Sequence, residues 1–159
     1  MIFTSVSQVA ATIFDEDEFH GHSLPDNVRQ LLDHANFAHL ATLMEDGSPH
    51  STPVWVGREG DKILIGTSGK SLNACNTRRD PRVAISMVDF QDPYMETQLR
   101  GRVLEQRPDN DLKILDAISM KYTGKPFPMR GPEDRIALVI EADNVRHMKL
   151  PFEHTPGAK

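Results

Sequence analysis

Apolar residues recur along the chain with two different periods, and the switches between them mark out its elements. In "SLPDNVRQLLDHA", Leu24, Val28, Leu31, Leu32 and Ala35 return at helical spacing and make one apolar face. Ser23 is placed to cap that helix, Pro25 falls in its first turn, and Asp26 suits its positive end. From Phe37 the period drops to two. "FAHLATLM" (37–44) and "HSTPVWVG" (50–57) flank the hairpin signal Asp46-Gly47, and the turn "REGD" leads into "KILIGT" (62–67), which predicts a meander of three strands. In "RVAISMVD" (82–89), Val83, Ile85 and Met87 share one face while Ala84, Ser86 and Val88 share the other. Two such faces suit a barrel wall or a subunit interface. "YMETQLRGRVLEQ" (94–106) is a long strand with Gly101 inside it, a mark of a bend or a close backbone approach. Asp109 opens a helix carrying Leu112, Leu115, Ile118 and Tyr122, which Gly124 ends. "IALVIEA" (136–142) and "NVRHMKL" (144–150) predict two closing strands.

The order α, β-β-β, α, β-β, α, β-β in 159 residues predicts a mainly β domain with flanking helices (α+β), its six or seven strands forming a small barrel. Residues 1–22 end in the acidic run Asp15-Glu16-Asp17-Glu18 and show no period. They read as an N-terminal arm, either mobile or packed over the domain or a partner subunit. The domain itself spans 23–152, and 153–159 is a C-terminal tail.

Charge and motif content narrow the function. A formal net charge of -5 and a pI near 5.8 argue against a general nucleic-acid binder. A single cysteine, Cys75, allows no intrachain disulfide and fits a reducing cytoplasm. No apolar run approaches the roughly 18 residues of a membrane span, and the N-terminus lacks the basic flank of a secretory signal. The expectation is a soluble cytoplasmic protein. Among the seven histidines only His20 and His22 sit at a ligand-like spacing, so no metal site is expected. There is no Gly-x-Ser-x-Gly elbow, and "GTSGKS" lacks the spacing of a nucleotide-binding P-loop. No catalytic side chain is predicted; a bound cofactor would carry the hard chemistry.

The most donor-rich stretch is "GTSGKSLNACNTRRDPR", 66–82. Thr67, Ser68 and Ser71 bring hydroxyls, Lys70 a mobile charge, and a helix starting near Ser71 would aim free N–H groups at the same point. The stretch is either an anion site or a polar turn with a serine cap. Arg78 and Arg79 fall in the last turn of that helix, where positive charge is stabilising in any case.

From about Leu24 to Leu150 the sequence resembles the flavin and deazaflavin oxidoreductases of the pyridoxamine-phosphate-oxidase-like split β-barrel. The marks are "ANFAHLATLMEDGSPHSTPVWV", then "ILIGTSGKS" with Asn76 and "RRDPRVAIS", then "LRGRV" and "YTGKPFP". The resemblance is to the branch that uses the deazaflavin coenzyme F420, with FMN users close by. It implies an FMN-binding-type split barrel, a homodimer with the cofactor in a groove at the interface, and hydride transfer to a small conjugated or unsaturated substrate. Ser51, Thr52, Pro53, Val54, Trp55 and Val56 match the segment along the isoalloxazine ring, and Gly66 and Thr67 the strand end beside the ring and ribityl chain. Lys70 and Ser71 match phosphate-binding positions. Asn73 stands where many members carry a basic residue. Gln98 is the position a partner protomer would contribute, and Lys121, Lys125 and Arg130 are surface cations available to the anionic tail of F420. The alternatives are an FMN-dependent oxidase or reductase of the same fold, a non-enzymatic flavin or deazaflavin carrier, and a haem-binding barrel. Trp55 faces either the core or the cofactor groove.

Overall fold

A computed structural model describes residues 15–131 and 134–157. Its strands are β1 (Asp15–His20), β2 (Ala38–Leu43), β3 (Pro49–Val54), β4 (Gly57–Glu59), β5 (Lys62–Ser68), β6 (Arg82–Val88), β7 (Met95–Pro108) and β8 (Arg135–Lys149). The helices are α1 (Asp26–Asp33), α2 (Leu72–Arg79) and α3 (Lys113–Thr123). All described strands join one antiparallel sheet in the order β3-β2-β6-β7-β8-β5-β4, with β1 added beside β8. The long β8 explains this branching. Its residues 135–141 pair with β5, its residues 144–149 pair with β1, and its other edge carries β7. The sheet curls around one apolar interior to which α1, β2, β5, β6, β7 and β8 all contribute. The architecture is the mainly β fold with flanking helices that the periodicity predicts.

Several elements differ from expectation. Residues 135–149 form a single strand, β8, in which Asp143 is the extra residue of a bulge: Arg100 pairs with Asn144 and Gly101 with Ala142, and the ladder with β7 continues on both sides of it. A Cβ on Gly101 would lie 2.0 Å from the Glu141 carbonyl oxygen, so the close approach requires glycine. The expected meander is broken. β2 and β3 make the hairpin, but β5 lies at the far end of the sheet path beside β8. The chain leaves the sheet after Val54, where Val56 turns inward and becomes fully buried. Ser23 does not cap α1. Pro25 holds the N-cap, and the Leu24 N–H goes instead to Asp61 Oδ1 at 3.3 Å. The acidic stretch 15–20, read as part of an arm, pairs with β8 as β1; the arm's first fourteen residues lie outside those described.

α3 packs on the outside of the sheet. Ile118 meets Leu64 and Val139, residues whose neighbours Ile63, Ile65, Leu138 and Ile140 point the other way into the core. Asp109 anchors the start of this helix, accepting from the Ile114 and Leu115 N–H groups at 3.0 and 2.9 Å, and Gly124 ends it at φ 71°.

Candidate functional site

The loop from Gly66 to Ser71 ends in the helix start that the sequence predicts. Ser71 is the N-cap of α2, its hydroxyl accepting from the Ala74 N–H at 3.1 Å and lying 2.9 Å from Thr67 Oγ1. The Ser71 carbonyl takes the Cys75 N–H at 2.9 Å, which leaves the first-turn N–H groups of Leu72 and Asn73 without an intrahelical acceptor. The Lys70 side chain is exposed beside them. Arg78 and Arg79 are structural. Arg78 Nη2 donates to the Gly69 carbonyl and to Gln106 Oε1, and Arg79 Nη2 to the Leu43 carbonyl and Asn76 Oδ1.

Asn73 fastens this helix start to the β2–β3 hairpin. It is 9% exposed, and its Nδ2 donates to Thr52 Oγ1 at 2.9 Å. Its Oδ1 lies 3.4 Å from Thr42 Oγ1, which also accepts from Asn76 Nδ2 at 3.0 Å. The amide therefore faces inward and is occupied, and the loop itself carries one cationic side chain, Lys70.

The other end of the hairpin is gripped by α3. Tyr122 Oη accepts from the Val56 N–H at 3.1 Å and donates to the Asn36 carbonyl at 2.5 Å. Lys121 Nζ donates to the carbonyls of Leu32, at 2.7 Å, and of Val56. Burial pushes the Lys121 pKa down to about 8, against a smaller opposing pull from Asp33, and burial raises that of Tyr122. Lys121 is thus no surface cation. Arg130 is paired with Asp116 at 2.9 Å, while Lys125 is exposed.

Between the two attachments lies a groove of about 460 Å³. Pro53, Val54, Trp55 and Gly66 line it with Phe37, Leu115, Phe127 and Met129, and Arg135 stands at its wall. Trp55 stacks on Tyr122 with centroids 5.1 Å apart and planes 7° apart, so it packs and lines the groove at once. A Cβ on Gly66 would lie 2.7 Å from Leu115 Cδ1, so a side chain there would have to displace the end of that leucine. Arg135 lies over the Phe127 ring, 5.2 Å from its centroid. Ser51 and Pro53 are exposed, and Thr52 and Val54 are half-buried. Gln98 lies on β7, three strands from β3 along the sheet path, with its side chain exposed. Sequence reasoning missed Phe37, Leu115, Phe127, Met129 and Arg135 as lining residues; only "YTGKPFP" signalled that part of the chain.

Elsewhere, ligand-type atoms of His22, Glu141 and Asp143 lie within 4.8 Å of one another. Lys62 and Arg102 already pair with Glu141, so the trio is better accounted for as a salt-bridge knot than as a cation site.

A curled antiparallel sheet with a helix N-terminus drawn against its edge hairpin defines a split-barrel protein. The chain belongs to the pyridoxamine 5'-phosphate oxidase family, which it matches over residues 24–149. No curated protein sequence matches it. Among solved structures it is similar to an F420 reductase, at 25% identity and a TM-score of 0.70, covering 77% of this chain and 98% of the other. It is also similar to a conserved hypothetical protein from Mycobacterium tuberculosis at 23% identity and a TM-score of 0.65, covering 85% of this chain and 94% of that one. A heme binding protein from Mycobacterium smegmatis shares the fold at 22% identity and a TM-score of 0.57, covering 82% and 57% respectively. No helix among the described residues is long and apolar enough to cross a membrane.

Proposed function

We propose that the protein is an oxidoreductase that binds coenzyme F420 as a homodimer and delivers its hydride to a small conjugated acceptor. The observation that supports this reading is the Asn73–Thr52 hydrogen bond, which draws the start of α2, with its open N–H groups and Lys70, against β3 beside the groove. The resemblance to an F420 reductase supports the choice of cofactor class.

The charge of the loop favours the deazaflavin over FMN. FMN ends in a monoester that is nearly dianionic at neutral pH, whereas F420 carries a singly charged diester at the corresponding point. With Arg78, Arg79 and Asn73 all committed to protein groups, Lys70 and the open helix N–H groups remain to meet it. One cation with a helix dipole matches one negative charge.

When bound, reduced F420 supplies a hydride. The chain's residues hold and orient: Lys70, Ser71 and the α2 N–H groups take the phosphate, and Ser51 to Val56 flank the ring. Phe37, Trp55, Phe127 and Met129 keep water from the groove. The uncovered outer face of β2, β6 and β7, with Ser86 and Val88 exposed, is the surface for a second copy, which would bring Gln98 to the site.

Titration of the purified protein with F420 and with FMN, followed by cofactor fluorescence, tests the reading. Saturable binding with F420 the tighter ligand is expected; a protein that retains FMN and ignores F420 overturns it. Light scattering at micromolar concentration should give twice 17.9 kDa, and a monomer removes the interface.

A further inference from the structure

Ile118 borders two grooves: the one beside Trp55, and another of about 400 Å³ between α3 and β4 that reaches Asp33 at the end of α1. The apolar lining of this second groove is Leu64, Ile114, Ala117 and Ile118, and Gly57 adds backbone alone. Three cations and two acids complete it. Arg58 pairs with Asp33 at 2.6 Å, Glu59 with Arg107 at 2.9 Å, and Lys113 with Asp111 at 3.1 Å.

Lys121 is the cation left over. An ammonium has three N–H donors, and Lys121 gives one to the Leu32 carbonyl and one to the Val56 carbonyl. Among the described residues it has no carboxylate partner. Asp33, whose charge reaches it, is held by Arg58 through two hydrogen bonds. One donor and one uncompensated charge therefore stand at the edge of an apolar groove. A half-buried charge held only by carbonyl dipoles gains more from a counter-ion than a fully solvated one does, because less water screens the pair.

We propose that this groove binds a monocarboxylate with a short apolar body, its carboxylate on the remaining N–H of Lys121 and its hydrocarbon along Leu64, Ile114 and Ala117. One negative charge answers one uncompensated positive charge, whereas a dianion such as a phosphate monoester meets Asp33 and Glu59 at the same rim. A volume of about 400 Å³ is at the small end for a ligand pocket, which keeps the body to a few carbons. The chain carries a net charge of -5, so general attraction does not draw anions to it; the local excess at Lys121 does. None of the lining residues lies on β2, β6 or β7, the strands assigned to the second copy.

The test uses the full chain without cofactor, titrated calorimetrically with hexanoate and with hexanamide and hexylamine, which put a neutral and a positive head on the same body. Hexanoate should bind saturably and the other two should not. Lys121→Met should weaken hexanoate binding about 10-fold or more, the scale of a charged hydrogen bond. Ala117→Phe, at an exposed position on α3, fills the groove while leaving Lys121 and its two carbonyls in place, and should weaken binding likewise. It carries the test if Lys121→Met does not fold. Lys113→Met, which removes the exposed cation already paired with Asp111, should bind hexanoate as the wild type does. The proposal falls if hexanoate does not bind saturably, if hexanamide or hexylamine binds as well, if Ala117→Phe or a folded Lys121→Met binds as the wild type does, or if Lys113→Met abolishes binding. Because no cofactor is present, failure of the F420 assignment leaves this result standing, and a separate F420 titration reads that assignment.

Discussion

Replacing Asn73 by leucine keeps the branched shape of the side chain, at a larger volume, and removes the amide that ties α2 to the hairpin. The bond lost to Thr52 is a full one at 2.9 Å, and the contact with Thr42 at 3.4 Å is a weak one. Thr42 keeps its bond from Asn76 at 3.0 Å, and the half-buried Thr52 hydroxyl turns to water. One neutral hydrogen bond and part of another amount to about 1–2 kcal/mol, somewhat offset by new apolar burial at a position that is 9% exposed. For a domain of this size that is a fall of about 3–6 °C in Tm. Cofactor affinity should fall as well, because the first turn of α2 is no longer held against β3. Thermal denaturation and a fluorescence titration of the same preparation read both effects. A variant as stable and as tightly binding as the wild type would refute the role given to this amide. Asn73→Lys makes a sharper contrast. Sequence alone suggests that the added charge improves FMN binding. At this depth, however, the ammonium either loses its water or swings out and abandons both threonines, so this variant should be less stable than Asn73→Leu.

Three further outcomes follow from single contacts. Lys70→Ala should weaken F420 binding by about 1.5–3 kcal/mol while leaving Tm within a degree or so, since the side chain is exposed; equal affinity in a titration removes Lys70 from the site. Gly101→Ala sets a Cβ 2.0 Å from a backbone oxygen that cannot retreat without breaking the β7–β8 ladder, so the variant should lose several kcal/mol of stability or fail to accumulate as soluble protein; near-native urea denaturation would refute the packing argument. The Lys121 pKa lies at about 8 in the fold against 10.5 unfolded, so below pH 8 the fold bears the cost of a buried ammonium, and between pH 8 and 10.5 only the unfolded chain still holds the proton. Stability should therefore rise through that window by about 1–2 kcal/mol relative to Lys121→Met, and parallel pH profiles of wild type and variant in urea denaturation would contradict it.

What was legible in the sequence is what local physics determines. Val83, Ile85 and Met87 alternate because one face of β6 is core, and Ser71 reads as a cap because a hydroxyl three residues before Ala74 satisfies an orphan N–H. β1 was illegible because DEDEFH offers no alternation; what makes it a strand is the open edge of β8, which β5 covers only as far as Glu141. The division at Asp143 marks a real irregularity but not a strand end: Asp143 is the extra residue between Ala142 and Asn144, and pairing with β7 resumes on either side of it. The lining of the groove beside Trp55 is supplied by α3 and the loop after it, more than sixty residues downstream, and no local signal reports such a contact. Tyr122 reads as a core position at helical spacing. Its hydroxyl proves to be the link between Asn36 and Val56.

The segment Ser51–Val56 is held at two points and open between them. Asn73 fixes Thr52, and Tyr122 and Lys121 take the N–H and the carbonyl of Val56. β3 ends the sheet path, which would ordinarily expose a strand edge prone to pairing with another chain. Pro49 and Pro53 lie an even number of residues apart, so their backbone nitrogens point the same way. Lacking N–H groups, they belong where that direction is away from β2. The free edge therefore presents carbonyls at positions 49, 51 and 53 with only the Ser51 N–H among them. Such an edge is a poor template for strand addition, which needs donors and acceptors in alternation, and a good one for a rigid ring that brings its own N–H groups. Pro53 thus serves two ends through one missing hydrogen: it keeps the edge from pairing, and it leaves the wall of the groove rich in acceptors where the assigned ring would lie.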